Sequence, residues 1–173
     1  MAGGAKSQAW DEAGFGAHVI AAHPRFEVPA STREGTADGP NYSGVWLSRY
    51  VYPSTGRDAD FVGEHYVVLR QRGNILKGQS LPHTTGSRLE LDLALKGTVV
   101  EGNWTEHTSP TGYYSGKAYH GTLQLAVDDS ARIMTGQWLG FGKDFKINTG
   151  AWELHWVDAA TSARATREYA LKL

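Results

Sequence analysis

The chain has 173 residues, with 17 Lys and Arg against 18 Asp and Glu, and no cysteine. A net charge of -1 gives no electrostatic basis for binding nucleic acid or a membrane surface. The missing thiols exclude disulfides, thiolate metal sites and cysteine nucleophiles.

Residues 1–41 read as an N-terminal helix and linker. Ser7 is placed to cap a helix carrying Asp11 and Glu12 in its first turn and Trp10, Ala13, Ala17, Val19 and Ile20 at roughly helical spacing. Pro24 stops it, and the polar stretch 30–41, with Gly and Pro, is a linker. The N-terminus lacks the charged and apolar regions of a secretory signal. No apolar run approaches the roughly 18 residues that span a bilayer. A cytoplasmic protein without a membrane partner is therefore expected.

From residue 42 onward the hydrophobic period becomes two, which predicts strands. The segments are 43–53, 63–72, 75–81, 87–96, 98–107, 117–127, 132–142 and 151–157. Gly73-Asn74 makes a tight turn between the second and third. The fourth alternates most cleanly, with Leu89, Leu91, Leu93 and Leu95 on one face and Arg88, Glu90, Asp92 and Ala94 on the other. A loop containing Asn148-Thr149-Gly150 precedes the eighth. The tail 166–173 alternates through Tyr169, Leu171 and Leu173 and admits a ninth strand. Strands in this order, joined mostly by short turns, predict an all-β domain over 42–173. The expected architecture is an eight-stranded antiparallel up-and-down β-barrel with room for one small ligand. An open sheet packed on the helix and a β-sandwich are the competing arrangements.

The pattern Gly-x-Trp occurs four times, at Gly44-Val45-Trp46, Gly102-Asn103-Trp104, Gly136-Gln137-Trp138 and Gly150-Ala151-Trp152. Residues i and i+2 of a strand share a face, so each copy sets a bare glycine beside an indole. Alternation then gives an inner face. It carries Trp46, Ser48, Tyr50 and Tyr52 in the first strand, and Val100, Gly102, Trp104 and Glu106 in the fifth. Tyr119, Gly121, Leu123, Leu125 and Val127 belong to the sixth, Met134, Gly136, Trp138, Gly140 and Gly142 to the seventh, and Trp152, Leu154 and Trp156 to the eighth. The second strand admits either Tyr66, Val68 and Arg70 or His65, Val67 and Leu69. In a closed meander three of the tryptophans share one wall and Trp104 faces them. The indoles either plug the barrel or line a cavity for a planar or apolar ligand.

The candidate ligand-binding residues are Trp46, Trp104, Trp138 and Trp152, with Tyr50, Tyr66, Arg70, Glu106 and Tyr119 as polar or orienting groups. Lys143, in a mouth loop, is placed to touch an anionic group. The histidines show no metal-ligand spacing, and nucleophile-elbow, phosphate-loop and dinucleotide motifs are absent. Neither a metal nor a cofactor is therefore expected. Three functions follow. The leading one is a small-molecule-binding barrel, sensory or carrier. The second is a cofactor-independent cyclase or isomerase using Glu106, Tyr66, Tyr119 or His155 as acid or base. The third is a protein-interaction module anchored by Tyr113 and Tyr114.

Ser43-Gly44-Val45-Trp46 resembles the opening strand of calycins, the lipocalin and avidin barrels. That resemblance implies a floor-closing role for Trp46, stacked by an arginine late in the chain such as Arg164 or Arg167. Residues 44–57, 65–74, 102–121 and 135–154 together resemble the C-terminal domain of actinobacterial lambda-repressor-like helix-turn-helix regulators. That resemblance covers about residues 42–157 and implies a sensory role. The segment 1–41 is shorter than a complete helix-turn-helix domain, so DNA binding by this chain alone is not implied.

Overall fold

A computed structural model of the protein describes residues 39–54 and 59–173. The expected N-terminal helix, and the linker up to residue 38, lie outside the described residues. Eight strands run in chain order: β1 (Gly44–Ser54), β2 (Ala59–Arg72), β3 (Ile75–Ser80), β4 (Arg88–Lys96), β5 (Val99–His107), β6 (Ala118–Val127), β7 (Ile133–Phe141) and β8 (Ile147–Asp158). Each pairs antiparallel with the next, and β8 pairs back onto β1. The sheet is thus a closed barrel in the order β1 to β8. Closure leaves no strand edge exposed, which an open meander of these strands would not achieve. Among the described residues no helix is long and apolar enough to cross a membrane.

Closure also explains why the tail forms no ninth strand. With β1 and β8 joined, no edge remains for another strand to extend. Residues Ala165–Tyr169 instead form a 3-10 helix. The tail lies along the barrel's outside: the Leu171 amide donates to the Pro82 carbonyl at 2.7 Å, and the Thr84 amide donates to the Leu173 carbonyl at 2.8 Å. The Tyr169 hydroxyl donates to Asp158 at 2.8 Å.

The eighth strand begins earlier than its apolar pattern suggests. Asn148-Thr149-Gly150 is strand, not loop, with Gly150 opposite Trp138. The second strand's two possible faces are separated by its register with β1. Trp46 lies opposite Val67 and Ser48 opposite His65, so His65, Val67 and Leu69 point inward. Tyr66 and Arg70 therefore stand outside the barrel, contrary to the placement that made them ligand contacts. Tyr66 packs on Tyr169 with ring centroids 5.3 Å apart, and Arg70 Nη2 donates to the Thr161 carbonyl at 2.9 Å.

One end of the barrel is solid. Trp46, Leu69, Leu76, Val100, Leu125, Met134 and Leu154 are all fully buried there or just above it. Trp46 donates its indole N–H to the Tyr42 carbonyl at 2.9 Å, and Arg132 lies over Trp156, 4.8 Å from the ring centroid. Burying each of these large side chains contributes about 1.5–3 kcal/mol. Trp46 belongs to this floor, so it is packing and does not reach a ligand at the other end.

Candidate functional site

The opposite half of the barrel is open and forms a cup of about 680 Å³, within the range of small-molecule sites. Its rim is made by the β3–β4, β5–β6 and β7–β8 loops and by Leu173. Its wall is aromatic: Trp104, Trp138, Trp152, Tyr50 and Tyr119 all line it. Trp104 meets Trp138 edge to face at 5.4 Å and Trp152 at 5.9 Å. Tyr50 lies 4.7 Å from Trp152. Such pairs contribute about 0.5–1.5 kcal/mol beyond their area, so they hold one another in place.

Gly121, Gly140 and Gly150 make this wall possible, and each serves a ring from another strand. A Cβ on Gly121 would sit 2.6 Å from the Trp104 ring, and one on Gly140 would meet the same ring at 2.6 Å. Trp104 thus lies flat over the bare backbone of β6 and β7. A Cβ on Gly150 would lie 2.8 Å from Trp138 Nε1 and 2.1 Å from the Val51 carbonyl oxygen. Trp138 reaches through that gap to donate its N–H to Val51 at 2.8 Å.

The indole N–H groups of the three tryptophans lining the cup are spent on the protein. Trp104 donates to the Thr122 carbonyl at 3.1 Å, and Trp152 donates to Ser48 Oγ at 2.9 Å. The tryptophans lining the cup therefore offer carbon faces. A ligand's polar groups must be met by other side chains.

Those side chains cluster. Glu106, from β5, points inward as its parity predicts, lines the cup and interacts electrostatically with the Tyr50 hydroxyl. Burial raises the Glu106 carboxyl above its ordinary range, against a smaller lowering from the Tyr50 hydroxyl. Burial, followed by the Glu106 charge, holds the Tyr50 hydroxyl well above its ordinary value. The Tyr50 ring is parallel to that of His65, at a tilt of 5° and a centroid distance of 6.2 Å. It lies over Gly63, where a Cβ would come within 2.3 Å of it.

His65 is 2% exposed and its Nδ1 has no hydrogen-bond partner among the described residues. Burial, with a smaller contribution from His83, lowers its pKa to about 4, so it is neutral at physiological pH. His83 is 5.1 Å away, centroid to centroid, and hydrogen-bonds the Thr85 hydroxyl at 2.8 Å. The Tyr119 hydroxyl, also at the cup, is buried without a partner among the described residues. Two buried polar atoms left unsatisfied in one cavity each cost about 1–3 kcal/mol.

The sequence-derived residues therefore divide. Tyr50, Trp104, Glu106, Tyr119, Trp138 and Trp152 meet at the cup. Trp46 is below it, and Tyr66 and Arg70 are outside. His155 is outside too, because β8 turns Leu154 and Trp156 inward; it lies 3.0 Å from Glu153. It cannot act as an acid or base in the lumen. His65 and His83 were not among the candidates. For His65 the missed signal was charge: one face of the second strand carries Arg70 and Arg72, and the other, through His65, Val67 and Leu69, carries no fixed charge.

Tyr113 and Tyr114 are at the rim, not on a separate face. Tyr114 donates to Ser54 Oγ at 2.9 Å, which ties the β5–β6 loop to the end of β1 on the far wall. Lys143 lies 5.5 Å from the Tyr113 ring centroid. Among the described residues no group of three or more His, Asp or Glu side chains is arranged to hold a metal ion.

A closed antiparallel barrel, half packed and half hollow with an aromatic cup, is the class that fold and site define. The chain matches no protein-family model, and no curated protein is detectably similar to it.

Proposed function

We propose that the protein is a small-molecule-binding barrel that holds a planar, largely apolar ligand in the cup. The observation that carries this reading is the pairing of carbon faces with orphaned polar atoms. Trp104, Trp138 and Trp152 present rings whose N–H groups are already bonded, while His65 Nδ1 and the Tyr119 hydroxyl are buried and have no partner among the described residues. A flat ligand with one or two polar substituents meets both demands. A lumen meant only for packing would be filled, as the floor is.

The eight-stranded closed barrel supports reading the chain as a calycin-like binder. The likeness of residues 42–157 to the C-terminal domains of regulators supports a sensory role, inside the cell, over that of a carrier. Neither nucleic acid nor a membrane is a partner in this reading.

Titration with 1-anilinonaphthalene-8-sulfonate, followed by tryptophan quenching, tests it. Saturable binding at one site is expected, and Trp138→Phe weakens it about tenfold through lost stacking area. An unchanged affinity in folded Trp138→Phe and Trp104→Phe proteins would remove the ligand from the cup.

A further inference from the structure

The cup holds more polar machinery than binding a flat ligand requires. Glu106, Tyr50, His65 and His83 form a continuous row along its wall. Glu106 faces the same cup as Tyr50 and interacts with its hydroxyl, Tyr50 stacks parallel to His65, and His65 contacts His83. A neutral imidazole thus stands beside a phenol backed by a carboxyl group, both facing the same cavity. None of these groups is pinned by a salt bridge among the described residues. A histidine that only fills a core has its ring nitrogens hydrogen-bonded, whereas His65 Nδ1 has no partner among the described residues.

We infer that the cup is an acid–base site for cofactor-free enolisation of a planar carbonyl compound, with His65 as the base and Tyr50, backed by Glu106, as the acid. The inference rests on the ligand-binding reading, since the substrate is the molecule held against the indoles. The His65 imidazole takes a proton from the carbon next to the carbonyl. The C–H electron pair becomes the new C=C bond. The carbonyl π pair moves to oxygen, which accepts the Tyr50 hydrogen, and Glu106 returns a proton to Tyr50. Reversal at the same carbon exchanges the proton, and reversal at a conjugated carbon moves the double bond. No electrons leave the substrate, so no oxidant or reductant is needed.

Burial fits each group to this task. An imidazole of lowered pKa is neutral and free to accept a proton at neutral pH, and burial raises the Glu106 carboxyl above its ordinary range. His83, half exposed at the rim, connects His65 to solvent. It offers the route by which the abstracted proton exchanges with water.

The enolisable bicyclic ketone 2-tetralone is a suitable probe in heavy water. Proton NMR follows loss of the hydrogens beside its carbonyl, and displacement of 1-anilinonaphthalene-8-sulfonate reports its binding. The wild-type protein is expected to speed deuterium uptake above the buffer rate. His65→Gln should lower the catalysed rate about 100-fold, in line with loss of a general base, and Tyr50→Phe and Glu106→Gln should each lower it at least about tenfold. Dye affinity measured for each variant separates lost binding from lost catalysis, and His120→Gln, on the outer face, should leave uptake unchanged. If 2-tetralone displaces the dye yet exchanges at the buffer rate, or if folded His65→Gln and Glu106→Gln exchange like the wild type, the acid–base role is overturned and binding stands. If neither dye nor ketone binds, the ligand-binding reading falls and takes this one with it.

Discussion

His65 shows how strongly one side chain's fate depends on its neighbours. Its imidazole is neutral because water cannot reach it and His83 stands close by. In the unfolded chain it takes a proton near pH 6.5, but in the folded barrel only near pH 4. Between these values the unfolded state binds more protons, so stability rises with pH across that window and is lost as the solution is acidified toward pH 4. The sum is on the order of 3 kcal/mol. Urea unfolding of His65→Gln and the wild type at pH 4, 5, 6 and 7 should show the wild type losing about that much more. Glu106 acts with the opposite sign. Its folded pKa is raised, so its contribution is present below the ordinary carboxylate range and is lost as pH rises through the folded value. The two groups thus pull against each other in mildly acidic solution, which is why the comparison needs the variant.

Among the elements, the β5–β6 loop has the clearest separate task. It spans the mouth and is held to the opposite wall by the Tyr114–Ser54 hydrogen bond. One neutral hydrogen bond contributes about 0.5–1.5 kcal/mol, too little to matter for the stability of a closed barrel but enough to bias how often the mouth opens. Tyr114→Phe should therefore raise the dissociation rate of 1-anilinonaphthalene-8-sulfonate several-fold, with the urea midpoint almost unmoved; stopped-flow fluorescence reads the first and equilibrium unfolding the second. Unchanged dissociation would mean the loop is a static rim. The strands were the most legible elements, because a half-buried strand advertises itself through alternation. β4 is the clearest case, with Leu89, Leu91 and Leu93 buried and Arg88 and Asp92 exposed. The tail alternates as well, yet it forms a 3-10 helix, since alternation cannot reveal that no pairing edge is left.

The molecule as a whole is divided into a packed floor and an open cup, and the division predicts two kinds of mutant. Trp46 is fully buried in the floor. Trp46→Ala should cost about 3–5 kcal/mol in unfolding free energy while leaving the cup's dye affinity within about twofold of the wild type; denaturant melts and a titration at low denaturant measure both. Equal damage to affinity and stability would show that floor and cup are coupled. Up to this division, periodicity and composition were sufficient. The period of two located the eight strands and the inner faces of all but the second, and Gly-x-Trp placed indoles inside, because side-chain direction in a strand depends only on parity along the chain. What parity cannot supply is depth along the barrel axis or the phase of one strand against the next. Those come from backbone pairing, Tyr50 opposite Gly63 and Trp152. That register left Trp46 in the floor, turned Tyr66 and Arg70 outward, gave the space at Gly121, Gly140 and Gly150 to indoles of other strands, and brought His65 beside Tyr50. A cavity is a relation among strands distant in the chain, so its contents were decided only when the barrel closed.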